Sequence, residues 1–471
     1  MARKFFGTDG IRGQANVYPM TGDFAFKLAQ ATSVALNRGE HRHKVVIGKD
    51  TRLSGYMLEP ALVSGFISMG LDVVLVGPLP TPAIAMLTKS LRADLGVMIS
   101  ASHNPFKDNG IKLFGANGYK LSDAIETQIE DLIAQDLTPH LATAENLGRA
   151  QRLDDARGRY IEFVKNTFPR RQRLDGLKIV IDCAHGAAYR VAPQVLYELG
   201  AEVIAIGVTP DGININKHCG ATDTQILSET VIQNQADIGI ALDGDADRLM
   251  VCDETGHIID GDQIMALIAK DWLSHDRLSN KTIAATVMSN LGLERYLHSL
   301  GIDLKRTAVG DRYVVEAMRQ DDIAIGGEQS GHIILGEYGT TGDGLMAALQ
   351  VLSVLVKQQE KTSTVCNVFA PVPQVLESIR VSDKAVMAEQ DITDHIDHHK
   401  TSLGDTGRIL VRPSGTEPVI RVMAEGDKKE KISHIVHDIC AKIKTVDDQT
   451  THSSIDKDSQ YEEPRQMATS S

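Results

Sequence analysis

Cysteine is scarce in this sequence: five in 471 residues, at Cys183, Cys219, Cys252, Cys366 and Cys440. Their number is odd, their spacing irregular, and no CxxC pair occurs. That argues against a disulfide scaffold and for free thiols in a reducing compartment. Positive charge is in deficit, Lys+Arg 49 against Asp+Glu 62, for a net charge of −13. So acidic a chain is not organised around nucleic acid or an anionic membrane surface. Positive groups for a phosphorylated ligand must be gathered locally. No apolar run reaches the length that spans a bilayer. The basic start, Met1-Ala-Arg-Lys-Phe-Phe, has no apolar core after it, so no secretory signal is expected and the cytoplasm is the expected location.

What is present is one order of elements used three times. A strand Lys44–Ile47 leads into Gly48-Lys49-Asp50-Thr51-Arg52, a helix closes at Gly70, and strand Leu71–Val76, a second helix and strand Asp94–Ile99 follow. The second copy has strand Leu177–Ile181, a helix stopping at Gly200, strand Ala201–Ile206 and the run 236–243. The third has Thr282–Val287, a helix closing at Gly301, Ile302–Ala308 and the run 321–328. Glycine after a helix is a natural cap. The third strands align as Asp94-Leu-Gly-Val, Asp237-Ile-Gly-Ile and Asp322-Ile-Ala-Ile, each followed by a polar loop and a hairpin-like segment turning at Asn117-Gly118, Thr255-Gly256 or Tyr338-Gly339. Alternating strands and helices predict three similar α/β domains with mainly parallel mixed sheets. From about Pro371 the strands Leu376–Val381, Gly407–Val411 and Val419–Ala424 precede one helix, Lys428 to about Lys444, which predicts a smaller C-terminal α+β domain. The expected division is 1–155, 156–258, 259–370 and 371–446, with 447–471 as a polar, disordered tail.

In open α/β sheets ligands bind beyond the carboxyl ends of strands, so the third-strand loops are the candidate site. The first reads Ser100-Ala-Ser102-His-Asn-Pro105, with Lys107 and Lys112 just beyond. Either serine could carry a phosphoryl group, and spacing does not choose between them. The second reads Asp243-Gly-Asp245-Ala-Asp247-Arg248. Carboxylates at alternate positions suit a hard divalent cation, best Mg²⁺ with room left for a phosphoryl oxygen. An EF-hand is disfavoured, because Arg248 stands where that loop needs glycine and strands flank the motif. The third reads Gly326-Gly-Glu328-Gln329-Ser330-Gly-His332. Glu328 and Ser330 suit sugar hydroxyls or an amine, and His332 can exchange protons near neutrality. The C-terminal domain adds Arg412-Pro-Ser414-Gly415-Thr416-Glu-Pro418 with Arg421. Its hydroxyls, backbone donors and arginines make a phosphate site without the Walker ending. The glycine-rich Phe6-Gly-Thr-Asp-Gly-Ile-Arg12-Gly13 offers Arg12 to a phosphate. Asp394-His-Ile-Asp-His-His399 looks metal-binding but reads as a His/Asp-rich surface helix or loop.

These loops, in this order over roughly residues 3–445, resemble the α-D-phosphohexomutase superfamily. Phe6–Gly13 and Gln329 resemble its bacterial phosphoglucosamine mutase branch, since the phosphomannomutases and phosphoglucomutases usually carry other residues at that third loop. The resemblance implies four domains around a cleft, the last with a TATA-box-binding-protein-like fold. It implies that the phosphoserine is Ser102, the residue preceding His-Asn-Pro. It also implies that Mg²⁺ is held by Asp243, Asp245, Asp247 and the serine phosphate. Arg12, Lys112 and His332 fall near the acid/base chemistry. Arg248, Glu328, Ser330, Arg412, Ser414, Gly415, Thr416 and Arg421 bind substrate. The implied reaction interconverts glucosamine 6-phosphate and glucosamine 1-phosphate through a bisphosphorylated sugar, feeding UDP-N-acetylglucosamine and cell-wall precursors, in a possible homodimer. A phosphomannomutase or phosphoglucomutase, a metal-dependent sugar phosphatase, and a non-catalytic sugar-phosphate binder are the other readings.

Overall fold

Strand Lys44–Lys49 lies between Asp72–Pro78 and Leu95–Ile99, parallel to both, and Asp108–Gly115 returns antiparallel beside Leu95–Ile99. Lys178–Asp182 repeats this between Glu202–Ile206 and Ile238–Leu242, with Leu249–Asp253 antiparallel. Thr282–Thr286 does so again between Asp303–Thr307 and Ile325–Gly327, with Ile333–Leu335 antiparallel. The three-fold α/β repeat expected from the sequence is therefore real, and its hairpin-like fourth segment is the antiparallel return strand. The computed structural model describes residues 4–459 except 37–38, 40, 279 and 415–417, with the backbone alone for 450–459.

The third strands are apolar throughout because both sheet faces are covered. Leu95–Ile99 and Ile238–Leu242 are buried at every position, as parallel sheets flanked by helices require. An N-terminal hairpin, Phe6–Gly7 with Gly10–Gln14, adds to Asp108–Gly115, and Ala150–Arg152 adds to Asp72–Pro78, making seven strands in the first sheet. That hairpin brings Asp9 and Arg12 beside the first-sheet loops.

The described chain forms two compact units: Met1–Ser289 with Tyr296–Val368, and Asn290–Arg295 with Phe369–Ser471. All three α/β modules share the first. Arg312, buried on the third module, pairs with Glu126 (2.6 Å) and Asp123 of the first. Tyr160 Oη of the second donates to Asp343 Oδ2 of the third (2.9 Å).

The second unit is a three-stranded antiparallel sheet in the order Gln374–Arg380, Val419–Gly426, Gly407–Pro413. Helices Gln390–Leu403 and Lys429–Ser459 cover it, burying Ile392, Ile396, Ile432, Val436, Ile439 and Ile443. This is the expected α+β domain. The tail differs from expectation. The final helix does not stop near Lys444, and 447–459 is helical, not disordered. Asp447 is buried and accepts from Ser382 N–H (3.1 Å) and Oγ (2.5 Å), fixing the turn past Val446. A formed helix extends at little cost even through polar residues. Residues 460–471 lie outside the described residues.

Candidate active site

The first loop leaves strand Leu95–Ile99 through Ser100, and Ser102 takes a left-handed backbone (φ 53°). A non-glycine residue pays roughly 1–2 kcal/mol there, so neighbouring bonds must hold it. Ser102 N–H donates to Ser100 Oγ (2.9 Å), and Ser100 Oγ donates to Asp50 Oδ2 (2.7 Å). Asp50 also accepts from Arg52 Nε (2.8 Å). Arg52 is 1% exposed and spends its guanidinium on loop carbonyls: Ser102 (2.9 Å), Asn104 (2.8 Å), Pro105 (2.5 Å) and Asp108 (3.0 Å). Asn216 Nδ2 adds a second donor to Ser102 O (2.8 Å). The result is a serine 1% exposed whose Oγ donates to Asp243 Oδ2 at 2.5 Å.

The second loop follows strand Ile238–Leu242 and is clamped by all three modules. Thr81 N–H donates to Asp245 O (2.9 Å), Ala187 N–H to Gly244 O (2.8 Å) and Gly344 N–H to Ala246 O (3.0 Å). Gly244 is required by a close approach: a Cβ there would stand 2.6 Å from Ser102 O. Asp243, Asp245 and Asp247 are buried and can bring one oxygen each within 4.8 Å of one another, a group that can hold a metal ion. Lys112, also buried, donates to Asp245 Oδ2 (2.8 Å) and Asp247 Oδ2 (3.0 Å) and lies 3.1 Å from Asp9 Oδ2. Thr81 Oγ1 donates to Asp245 Oδ2 (2.6 Å). Even so, Asp245 Oδ1 is buried with no hydrogen-bond partner. Burial, then the charges of Asp247 and Asp245, push the Asp243 carboxyl up to about 8. An orphaned acceptor and a carboxyl forced towards protonation are what three crowded carboxylates show when a dication would fit among them.

The third loop places buried His332 beside the triad, Nδ1 3.5 Å from Asp247 Oδ1 and Nε2 3.6 Å from Asp311 Oδ2. Gly342 N–H points at Nε2 (3.2 Å), which favours a neutral ring. Burial favours it too, but the full charges of Asp247 and Asp311 outweigh both and raise the imidazole to about 9. Glu328 Oε1 accepts from Gly310 N–H (3.2 Å), and Ser330 is exposed. Gln329 Nε2 faces Asp260 Oδ2 (3.1 Å), bracing the start of helix Gly261–Ser274.

Burial works against the charge on Lys112, yet Asp245, Asp247 and Asp9 hold its ammonium well above the ordinary range. Arg12 bonds Asp9 and reaches Asn104 Oδ1 (3.4 Å). The Nε atoms of Arg12 and Arg248 are buried without hydrogen-bond partners. Both guanidiniums act on His103, whose imidazole is driven down to about 4 by burial first and by Arg248 and Arg12 next. Orphaned donors and an orphaned acceptor in one site mark places for an anion and a cation.

In the C-terminal unit Arg412 and Arg421 stand opposite each other on paired strands. Burial and then the Arg421 charge lower the Arg412 pKa. Ser414 N–H donates to Val419 O (2.8 Å), and Lys384 Nζ donates to Ser414 O (2.6 Å). Two guanidiniums on paired strands suit recognition of an anion such as phosphate. Gly415 and Thr416 lie outside the described residues.

Sequence reasoning missed Arg52, Asp50, Asp9, Lys120, Asp311 and Thr81. Lys120 bonds both Asp9 and Asp311, closing a ring of charge through Lys112, Asp247 and His332. One signal was available: Gly48–Arg52 is itself a strand-end loop, like those that were chosen.

A serine hydroxyl on an acidic triad, backed by lysine, arginines and a histidine at the strand ends of three repeated α/β modules, defines a phosphosugar mutase of the α-D-phosphohexomutase type. Residues 3–139, 158–256 and 260–372 match, in turn, phosphoglucomutase/phosphomannomutase alpha/beta/alpha domains I, II and III, and 376–442 match the family's C-terminal domain. The chain is 59% identical over 446 residues to a phosphoglucosamine mutase of Rhodospirillum rubrum, across 94% of this chain and 99% of that one. It is 60% identical over 438 residues to a phosphoglucosamine mutase of Granulibacter bethesdensis, across 93% and 96%. A phosphoglucomutase/phosphomannomutase family protein of Burkholderia thailandensis shares the fold with a TM-score of 0.80 at 24% identity, covering 95% and 98%. An Aspergillus fumigatus N-acetylphosphoglucosamine mutase, solved with GlcNAc-6P and magnesium, does so at 0.67 and 16%, covering 95% and 96%. The chain thus belongs to the phosphoglucomutase/phosphomannomutase family, in its phosphoglucosamine mutase branch. No helix among the described residues is long and apolar enough to cross a membrane.

Proposed function

We propose that this protein is a phosphoglucosamine mutase that exchanges phosphate between the 6- and 1-positions of glucosamine through phosphorylated Ser102. The observation that carries the chemistry is the 2.5 Å contact from Ser102 Oγ to Asp243 Oδ2 within a buried triad. The P–O bond to Ser102 Oγ breaks as a new one forms to the free sugar hydroxyl, whose proton is lost while Ser102 Oγ takes one up and becomes a hydroxyl again, so that the net change is a phosphoryl group exchanged for a proton. The bisphosphorylated sugar turns over, and its other phosphate returns to Ser102 Oγ. Lys112 and Arg12 stay charged, so their part is to neutralise phosphate oxygens, while His332, as an imidazolium, can donate a proton. Arg248, Glu328 and Ser330 recognise the sugar. Arg412, Ser414, Gly415, Thr416 and Arg421 take the phosphate that is not reacting.

Asp243, Asp245 and Asp247 would hold Mg²⁺, as all-oxygen ligands suit it. The magnesium in the Aspergillus fumigatus relative supports that choice. When bound, the ion supplies positive charge that offsets the charge spread over a transferring phosphoryl group. Chelation should abolish turnover and Mg²⁺ should restore it. Proton linkage sets a second expectation. The Asp243 carboxyl holds its proton to about 8 in the folded protein against an ordinary 3.8. In the metal-free protein this group therefore costs stability increasingly as pH rises through that window. A dication removes the cost and competes with the proton. The Tm gain on adding Mg²⁺ should be larger near pH 8 than near pH 6; an equal gain at both would contradict the assignment of the ion to Asp243.

Substrate choice is tested by kcat/KM for the 6-phosphates of glucosamine, glucose and mannose, with glucosamine expected highest. A higher value for mannose or glucose would move the protein to the phosphomannomutase or phosphoglucomutase reading. A cytoplasmic location and a homodimer complete the proposal, the latter checked by light scattering.

A further inference from the structure

The histidine-rich segment Asp394–His399 is helical and acquires a partner in the fold. Helix Gln390–Leu403 buries Ile392, Ile396, His399 and Leu403 on one side. His395 and His399 are one turn apart, so both imidazoles rise from one face. Opposite them is Asp438, on the final helix between buried Val436 and Ile439. Its Oδ2 lies 2.8 Å from His399 Nε2 and 2.9 Å from His395 Nε2. The two rings stand nearly perpendicular (89°) with centroids 4.8 Å apart.

Hydrogen bonding alone does not satisfy this arrangement. His399 Nε2 is within hydrogen-bond geometry of Asp438, whereas His395 Nε2, also buried, faces the same oxygen at 2.9 Å but off the line of a good hydrogen bond. Two imidazole nitrogens and a carboxylate oxygen that converge within 4.8 Å are a three-ligand metal set. We propose that His395, His399 and Asp438 form a second metal site, for a zinc-class dication, that pins helix Gln390–Leu403 to the final helix.

The geometry is close to what such an ion needs. Bonds of about 2.0–2.2 Å in a tetrahedron put ligand atoms roughly 3.3 Å apart. The present separations need only a small outward rotamer shift. Asp438 is 43% exposed on its side chain, which leaves an entry path and a fourth position for water. The nearest lysines along the two helices turn elsewhere, Lys400 to Asp397 (2.9 Å) and Lys442 to Asp391 (3.2 Å). Imidazole ligands select zinc, nickel, cobalt or copper over magnesium, so this site and the all-carboxylate triad take different ions. Binding to the folded form alone raises its stability.

The test uses the full chain, stripped of metal and then held in excess Mg²⁺ so that the triad is filled. Zn²⁺ is titrated against a chromophoric chelator, and thermal unfolding is followed with and without it. One equivalent of Zn²⁺ should bind and raise Tm. His395→Gln and Asp438→Asn, both at partly exposed positions, should each weaken Zn²⁺ binding by at least about tenfold and remove the Tm gain, while Mg²⁺-supported turnover is retained. Wild-type protein that binds no Zn²⁺ under these conditions, or variants that bind it as tightly as wild type, would overturn the proposal.

Discussion

Ser102→Ala is expected to lower mutase turnover by about 10⁴-fold or more, the scale seen when an enzyme loses its nucleophile, while the protein stays folded. The side chain makes one bond of consequence, Oγ to Asp243, and a single hydrogen bond is worth about 1 kcal/mol net. The left-handed backbone at residue 102 is imposed by Arg52, Ser100 and Asn216 on backbone atoms, so alanine inherits it. Activity and stability therefore separate. Thermal unfolding should remain near wild type while product formation falls to background. Retained turnover would remove Ser102 from the chemistry; a collapse of the fold would make its role structural.

Arg52→Met should cost more stability than any exposed substitution. The guanidinium is buried, pairs with Asp50 and bonds carbonyls along 102–108. Breaking a buried pair by removing one partner typically costs about 3–5 kcal/mol, because the other charge is stranded. Burial already raises the Asp50 carboxyl despite Arg52, and without the guanidinium that carboxyl would keep the Ser100 hydroxyl and the residue-52 N–H as donors but lose its cationic partner. The double variant Asp50→Asn/Arg52→Met separates the two roles. It should regain part of the lost Tm, because no charge is left buried alone. It should not regain kcat, because the carbonyls of Ser102 and Asn104 have still lost their clamp. Full recovery of both would mean that Arg52 only balances charge.

Much of this architecture is legible in the sequence because its signals are local. Leu95–Ile99 and Ile238–Leu242 are unbroken apolar runs ended by Ser100 and Asp243, and burial on both faces is the cause of both features. Gly70, Gly200 and Gly301, read as helix caps, all have positive φ. Arg52 was not legible: an arginine after a strand reads as surface, and its burial depends on carbonyls about 50 residues away. The pairing of His395 and His399 with Asp438 was hidden for the same reason, since the third ligand sits on another helix. The polar composition of 447–459 suggested disorder, but composition does not register the anchor from Asp447 to Ser382. Asp9, Lys120 and Asp311 come from three separate segments and mean nothing until the fold joins them.

The central claim is that the phosphate moved by this protein passes through Ser102 Oγ. Enzyme carrying labelled phosphate, with the label located on the Ser102 peptide by mass, can be mixed with unlabelled glucosamine 6-phosphate in the presence of Mg²⁺. The label should leave the protein and appear in sugar bisphosphate and glucosamine 1-phosphate within a turnover. Label that stays on the serine while product forms, that is carried by another residue, or that leaves only as inorganic phosphate would contradict it.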